Sequence, residues 1–373
     1  MQNPLSNATQ YITTLAIRFW QQEGTLQTYL DFLLSEIDPM LSRKRNVAEV
    51  IQIIDETADT KTFVLRPSSR WQGFVAGQYI NVETEINGVM IRRNYSISCA
   101  PKLFREQQLI SITVKKIEGG RASTHLHERL IVGDTLTIGL ASGDFTLQQP
   151  ISTQPPAKPL FIAAGSGITP IMSMIKQIKE ETPEQSISLI YYVNNPQALI
   201  FESQLQTLSK SMPNFSFYPH FTESEGYITS QQLQLDCPDI AERTLYLCGP
   251  QGFMKSASAH CLDLGLAPER MHQESFGSYV PANFQPGTAG QIRFLNSGKY
   301  IESNGKKTVL ELAESAGLNP KYGCRSGICH ECKCTKSTGQ VLNRLTGELI
   351  PDDQTHIQAC ISIPVGDLSI ESL

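Results

Sequence analysis

The chain is 373 residues long, 18% charged and 40% hydrophobic, which is the composition of a globular protein of two or three domains and excludes a disordered one. Its net charge of −5 supplies no field to draw a polyanion, so nucleic acid is excluded as a partner. Its longest apolar runs, at 160–164 and 189–193, are far shorter than the roughly 18 to 20 residues of a spanning helix, so no transmembrane segment is predicted.

The opening stretch MQNPLSNATQ has neither the basic nor the apolar region of a signal peptide, and a cytoplasmic location is expected. Residues 1–45 read as a helical extension, because Leu26, Tyr29, Leu30, Leu33 and Ile37 recur at close to helical spacing until Pro39 interrupts. Across 46–150 the pattern changes to short β-rich runs (KTFVLRP, GQYINVETEI, RNYSISC, LISITVKKI, DTLTIGL) parted by Gly, Pro and Asn turns, which predicts an antiparallel barrel or sandwich. QQPISTQPPAKP then reads as a linker. Over 157–280 the apolar runs PLFIAA, ISLIYYV and TLYLC alternate with helical stretches, the pattern of a parallel α/β sheet. A second linker, PANFQPGTAG, leads to a small unit at 288–373, with a hairpin, a helix opened by a Thr308/Glu311 capping box and closed at Gly317, a cysteine loop and a β-rich tail. The fold class expected is multidomain α+β.

Nine cysteines in a long chain without an export signal point to metal ligation before disulfides. In KYGCRSGICHECKC, Cys324, Cys329 and Cys332 are spaced C-x4-C-x2-C, and Cys360 follows from a remote segment. This is the ligand spacing of a plant-type [2Fe-2S] cluster, and Gly323 and Gly327 supply the backbone freedom that three thiolates around one centre require. Structural zinc would want two C-x2-C knuckles or Cys/His pairs, and Rieske ligation two placed histidines. Only His330 lies in the loop, where it reads as a solvated residue, and Cys334 reads as a small buried side chain.

PLFIAAGSGITPIMSMIKQ sets Gly165, Ser166 and Gly167 between an apolar strand and a helix, where small residues let backbone amides approach a pyrophosphate. Pro170 suits the first helical turn. Alone this is either a nucleotide loop or a tight strand-to-helix turn. The next strand ends in Asn194-Asn195-Pro196 with neither a ribose-binding acid nor an arginine for a 2′-phosphate, so NADH and NADPH both stay open.

Taken together, Arg93-Asn94-Tyr95-Ser96, the GGRAST stretch at 119–124, the 165–170 loop, Cys248-Gly249-Pro250 and Glu274-Ser275-Phe276 resemble, in order and spacing, the ferredoxin-NADP reductase superfamily across 47–277, and the C-terminal segment resembles a plant-type ferredoxin. The whole is similar to oxygenase and desaturase reductases with the cluster domain last. That resemblance implies an FAD-binding β-barrel, an NAD(P)-binding α/β domain and a β-grasp ferredoxin domain. It implies that Arg93 meets the flavin pyrophosphate, Tyr95 stacks on the flavin, and Ser96 bonds near flavin N5. Gly120, Ala122, Ser123 and Thr124 match the phosphate-binding turn of the family. Gly165, Gly167, Thr169, Pro170, Cys248, Gly249 and Pro250 match the nicotinamide nucleotide site, and Glu274 and Phe276 match a segment near the flavin. Ser96, Cys248 and Glu274 are the expected catalytic residues, with an inert strand thiol as the other reading of Cys248. FMN-using relatives carry Pro-Arg-Asn before the Phe of the last barrel segment, whereas here Ser142-Gly143-Asp144-Phe145 stand, which favours FAD. Cys324, Cys329, Cys332 and Cys360 are the expected cluster ligands.

These parts belong together because NAD(P)H yields two electrons as a hydride while a [2Fe-2S] centre accepts one, and a flavin can hold the second between transfers. The expected function is an NAD(P)H-dependent reductase feeding an oxygen-activating iron enzyme. The N-terminal segment with its Asp38-Pro39-Met40-Leu41 turn resembles the leader of bacterial reductases that serve membrane fatty-acid desaturases or alkane hydroxylases. It reads either as a peripheral docking surface for such a partner or as a helical cap on the barrel. Other acceptors in view are a soluble Rieske-type oxygenase or a dye, and a third class is a redox sensor.

Overall fold

The computed structural model describes residues 33, 37–42, 45–86, 89–147, 158–276, 287–323, 327, 331–344 and 347–372. Most of the expected N-terminal helical extension and both linkers' central residues lie outside this set. Of the extension, Asp38 accepts from the Met40 amide at 2.8 Å and opens a one-turn helix at Pro39–Leu41.

Six strands make the first sheet: β1 (Val47–Thr57), β2 (Thr60–Pro67), β3 (Tyr79–Ile86), β4 (Val89–Ser96), β5 (Ile110–Lys115) and β6 (Thr135–Ile138). They run antiparallel in the order β4-β3-β6-β1-β2-β5. Register shifts in the β1–β2 pair bend the sheet, and a bridge between Ile97, just past β4, and Ile112 of β5 joins the two edges into a barrel. The alternating pattern of the sequence becomes alternating burial along β3, where Ile80, Val82 and Thr84 point inward. Phe63, Leu65, Ile80 and Ile112 fill the barrel at 0% exposure, each worth about 1.5–3 kcal/mol of burial. Two helices follow, α1 (Pro101–Gln107) and α2 (Arg121–Arg129), and Leu126 of α2 closes one barrel end.

The second sheet is parallel, in the order β11-β10-β7-β8-β9, with β7 (Pro159–Ala164), β8 (Ile187–Val193), β9 (Phe215–Phe221), β10 (Thr244–Cys248) and β11 (Met271–Glu274). Every residue of β7 and β8 is buried, as expected for strands covered on both faces. Phe161 and Ala163 face one apolar layer with helix α3 (Ile168–Glu181), while Leu160 and Ile162 face the other. Helices α4 (Glu202–Ser211), α5 (Thr222–Glu225), α6 (Ser230–Asp236) and α7 (Gln251–Asp263) complete the layers. Helix α3 also fixes this unit to the barrel. Ser173 Oγ donates to the Cys99 carbonyl at 2.6 Å and Lys176 Nζ to the Ser98 carbonyl at 3.1 Å, and burial lowers the Lys176 pKa.

The third sheet is mixed. It contains β12 (Gly290–Phe294), β13 (Lys299–Ser303), β14 (Lys333–Asn343), β15 (Leu349–Ile350), β16 (Thr355–Gln358) and β17 (Ser362–Ser372), in the order β13-β12-β17-β14-β15, with β16 on β14 and β12 parallel to β17. Helix α8 (Val309–Ser315) begins with the expected capping box: Thr308 Oγ1 accepts from the Glu311 amide at 3.3 Å, and Glu311 Oε2 accepts from the Thr308 amide at 2.8 Å. Gly317 follows the helix at φ +68°. Strand β4, the edge of the barrel sheet, is covered here, for Ile91 at 0% exposure and Ala122 at 5% join the apolar core of this third unit. Among the described residues no helix is long and apolar enough to cross a membrane.

Candidate functional site

A cleft of about 660 Å³ opens between the barrel and the parallel sheet, bordered by Tyr79, Arg93, Asn94 and Ser96, by the 142–145 segment, and by 271–276. Strand β4 supplies its floor, where Asn94 Oδ1 accepts from Asn81 Nδ2 at 2.9 Å across the β3–β4 pair. The 142–145 segment is pinned by reciprocal bonds between the backbones of Tyr79 and Ser142 at 2.9 Å. Gly143 turns there at φ +109°, and a Cβ in its place would lie 2.9 Å from the Tyr79 ring.

Two buried oxygens at this cleft, Ser96 Oγ and Glu274 Oε2, have no hydrogen-bond partner among the described residues. Buried polar groups are nearly always satisfied, so the pair marks a place for a polar ligand, and the cleft's size and residues fit a flavin. Burial pushes the Glu274 carboxyl up to about 8. Glu274 therefore carries its proton at neutral pH and can offer an O–H.

The other side of the site lies at the carboxyl ends of β7, β10 and β11, where ligands bind in open α/β sheets. Gly165–Gly167 forms a one-turn helix leading into α3, with Gly165 at φ +53° and its carbonyl accepting from Tyr191 OH at 2.9 Å. Gly167 has no room for a side chain, because a Cβ would sit 2.1 Å from the Cys248 carbonyl oxygen. Thr169 Oγ1 donates to the Ser166 carbonyl at 3.0 Å, and Pro170 is buried in the first turn of α3. Gly249 packs its backbone on Ala164, and Pro250 caps α7. Cys248 stands in register with Glu274. It is fully buried, and burial first, then the nearby Glu274, pushes its thiol well above the ordinary value. It does not line the cleft, whereas Ser96, Glu274 and the half-exposed Phe276 do.

The remaining sequence-derived positions are less concentrated. Tyr95 packs against the barrel core and is outside the cleft lining, with burial raising its hydroxyl to about 12 against the opposing effect of Arg93. At the start of α2, Ser123 Oγ accepts from the Ile117 amide at 3.2 Å and the Thr124 amide bonds the Gly120 carbonyl at 3.0 Å, so these groups shape the turn itself. Gly120 is required there, since a Cβ would lie 2.9 Å from the Ile117 carbonyl. Ala122 faces the third unit. Asn94, Tyr79 and Asp144 border the cleft and were not singled out as site residues from sequence. Asn94 lies inside the R-x-Y-S motif, and Asp144 inside a segment used only to weigh FAD against FMN.

Of the four expected cluster thiolates, Cys332 and Cys360 are described, and Cys324, Cys329 and the neighbouring His330 lie outside the described residues. The Ala359 amide donates to the Cys332 carbonyl at 2.9 Å, which brings Cys332 beside Cys360, and both are buried in one apolar cluster. Gln358 Nε2 donates to the Gly327 carbonyl at 2.9 Å and so holds the loop at its middle. Two buried soft donors beside a glycine-turned loop fit a thiolate-ligated cluster. Cys334 is buried, its thiol raised to about 12 by burial and by Cys332, and it faces Ile357 across the sheet.

Comparison with known proteins agrees with this geometry. Residues 47–147 match the oxidoreductase FAD-binding domain, 161–259 the oxidoreductase NAD-binding domain, and 293–365 the 2Fe-2S iron-sulfur cluster binding domain. The glycine betaine monooxygenase reductase subunit of Pseudomonas aeruginosa is 30% identical over 88% of this chain and 95% of its own. The NADPH oxidoreductase of Mycobacterium tuberculosis is 27% identical over 91% of this chain and 88% of its own. The solved structure of phthalate dioxygenase reductase shares the fold with a TM-score of 0.62, at 23% identity over 89% of this chain and 99% of that one. The chain belongs to the ferredoxin-NADP reductase superfamily, as an oxidoreductase in which FAD-binding, NAD-binding and [2Fe-2S] domains follow one another in a single polypeptide.

Proposed function

We propose that this protein takes a hydride from NAD(P)H at the cleft and passes single electrons through its cluster to an oxygen-activating iron enzyme. The observation that carries the reading is the position of Arg93. It borders the cleft, and its Nη1 donates to the Gly323 carbonyl at 2.8 Å, one residue before the first cluster cysteine. Flavin and cluster sites are thus contiguous.

FAD, when bound, supplies the conversion of one hydride into two single-electron transfers. Arg93 would hold its phosphates from the cleft border, with the α2 turn at Gly120, Ala122, Ser123 and Thr124 as the further phosphate-binding segment that the family resemblance implies. Ser96 and the protonated Glu274 would offer hydrogen bonds at its edge, and Tyr95 would back the site from the barrel core. The 165–170 loop with Gly249 and Pro250 receives the nucleotide pyrophosphate, while Thr169, the buried Cys248 and Phe276 shape the nicotinamide end. Cys324, Cys329, Cys332 and Cys360 hold the cluster. Oriented binding and exclusion of water do the work, with no acid–base dyad.

Anaerobic titration with NADH, and separately NADPH, followed by visible absorption and electron paramagnetic resonance, tests this. Flavin bleaching with a rhombic reduced-cluster signal is expected. Flavin reduction with a permanently oxidised cluster would refute it.

For the acceptor, the Asp38–Leu41 region supports a membrane desaturase or hydroxylase docked through the N-terminal segment. The similarity to a monooxygenase reductase subunit favours an oxygenase partner as a second reading. Deleting residues 1–40 lowers turnover with a membrane partner but not with ferricyanide if the first reading holds. Equal losses with both would remove it.

A further inference from the structure

The ferredoxin unit meets the barrel through little apolar surface. Among the described residues, the barrel side contributes Ile91, Ala122 and the half-buried Ile86 to the shared cluster. Contacts of that size leave domain motion as the default, so something else must set the orientation. Two consecutive residues of β4 reach across. Arg92 Nη1 pairs with Glu331 Oε1 at 2.8 Å, while its Nε pairs with Glu83 Oε1 at 2.7 Å on the neighbouring strand. Arg93 Nη1 donates to the Gly323 carbonyl at 2.8 Å, and its guanidinium lies 5.3 Å from the Tyr322 ring centre. Gly323 directly precedes Cys324, and Glu331 directly precedes Cys332.

We infer that Arg92 and Glu331, with Arg93 on Gly323, form a clamp that grips the cluster loop at both ends and fixes its distance from the flavin cleft. Arg92 and Glu331 are positioning residues. Glu83 pre-orients Arg92, so the loop docks onto a guanidinium already held in place. The step served is electron transfer from reduced flavin to oxidised cluster: each hydride taken up leaves as two single electrons and one proton, the proton going to solvent. No bond to the clamp forms or breaks. This inference rests on the proposed electron path.

The test uses the full-length holoenzyme with Glu331→Gln, Glu331→Arg and the conservative Glu331→Asp, each of which leaves Arg92 and Glu83 themselves unsubstituted. Anaerobic stopped-flow separates flavin reduction by the nucleotide from the later cluster reduction. Glu331→Gln should slow the second step by about fivefold, what loss of one partly exposed ion pair supports, and Glu331→Arg by more, through like-charge repulsion. Glu331→Asp should retain most of the rate, and flavin reduction should stay within about twofold. Raising ionic strength from about 0.05 M to about 0.5 M should slow the wild-type step and leave Glu331→Gln unaffected. Hydrogen exchange of the oxidised holoenzyme, without turnover, should quicken at 91–94 and 320–323 in Glu331→Arg. An unchanged second step in Glu331→Arg, an equal fall in flavin reduction, or unchanged exchange would each overturn the clamp. A wild-type cluster that never reduces overturns the electron path instead, and exchange still reads the clamp.

Discussion

Substituting Glu274→Gln should make the protein less sensitive to alkaline pH. The wild-type carboxyl has an ordinary value of 4.5 and is lifted to about 8 by burial, with Oε2 buried and without a partner among the described residues. The folded protein thus keeps a proton that the unfolded chain releases. For an acid whose folded pKa is raised, this stabilisation is complete below the unfolded value and is lost as pH rises through the folded one. At about 1.36 kcal/mol per unit, the ceiling is on the order of 5 kcal/mol, and the share falling between about pH 5 and pH 8 is roughly 3 kcal/mol. Gln keeps the shape and removes the titration, so the variant should gain by about that amount on the wild type across the interval. Urea midpoints of both proteins at a series of pH values measure it. A neutral carboxyl band in the infrared spectrum of the wild type near pH 7, absent from the variant, checks the protonation directly. Parallel stability profiles, or no such band, would show that Glu274 is ionised and the reasoning wrong.

Gly167→Ala should lower stability by about 1–3 kcal/mol through overpacking, because the clash is with the Cys248 carbonyl and the Gly249 amide rather than a flexible side chain; it should also raise the KM for nucleotide, and a normal denaturation midpoint with normal KM would contradict the close-approach argument. Cys360→Ser should retain the flavin spectrum but lose the reduced-cluster signal in electron paramagnetic resonance, and an undiminished signal would remove Cys360 from the ligand set. Glu223 is held by Asn195 at 3.1 and 3.2 Å at the carboxyl ends of β8 and β9, and segments 194–199 and 222–236 carry no lysine or arginine. A 2′-phosphate there would face a carboxylate. NADH should therefore be preferred, and Glu223→Arg should shift the ratio of kcat/KM toward NADPH by about tenfold, or 1.4 kcal/mol; a ratio that does not move would place the ribose elsewhere.

The elements governed by local rules were legible in the sequence. Period-two alternation marked β3, unbroken apolar runs marked β7 and β8, and Thr308 with Glu311 marked the start of α8. What escaped depends on partners distant in the chain. Arg93 and Gly323 are 230 positions apart, and no spacing rule couples them. Ile91, in VMIRRNYS, is buried among side chains of the third unit, a destination its own strand does not signal. Lys336 sits in β14 as an ordinary solvent-facing charge would, but is 0% exposed, its ammonium held by the carbonyls of Pro351 and Asp353. Burial of a charge depends on whether a loop closes over it, and composition carries no sign of that.

The two junctions of the barrel differ in kind, and the difference matches what each must do. Toward the nucleotide unit, the contacts include a buried hydrogen bond from Ser173 and a part-buried one from Lys176 to consecutive carbonyls, Cys99 and Ser98. Such groups cannot part without leaving desolvated polar atoms unpaired, which costs far more than the bonds themselves contribute. Hydride transfer needs reacting atoms held to a fraction of an ångström, and a stiff junction suits it. Toward the cluster unit, the Arg92–Glu331 pair is at the rim, with side chains 32% and 42% exposed, where water can replace either partner at little cost. An electron crosses a gap without atoms meeting, so this joint tolerates a softer hold. Strand β4 serves both junctions' chemistry at once, lining the cleft with Arg93, Asn94 and Ser96 and meeting the cluster unit through Arg92 and Arg93.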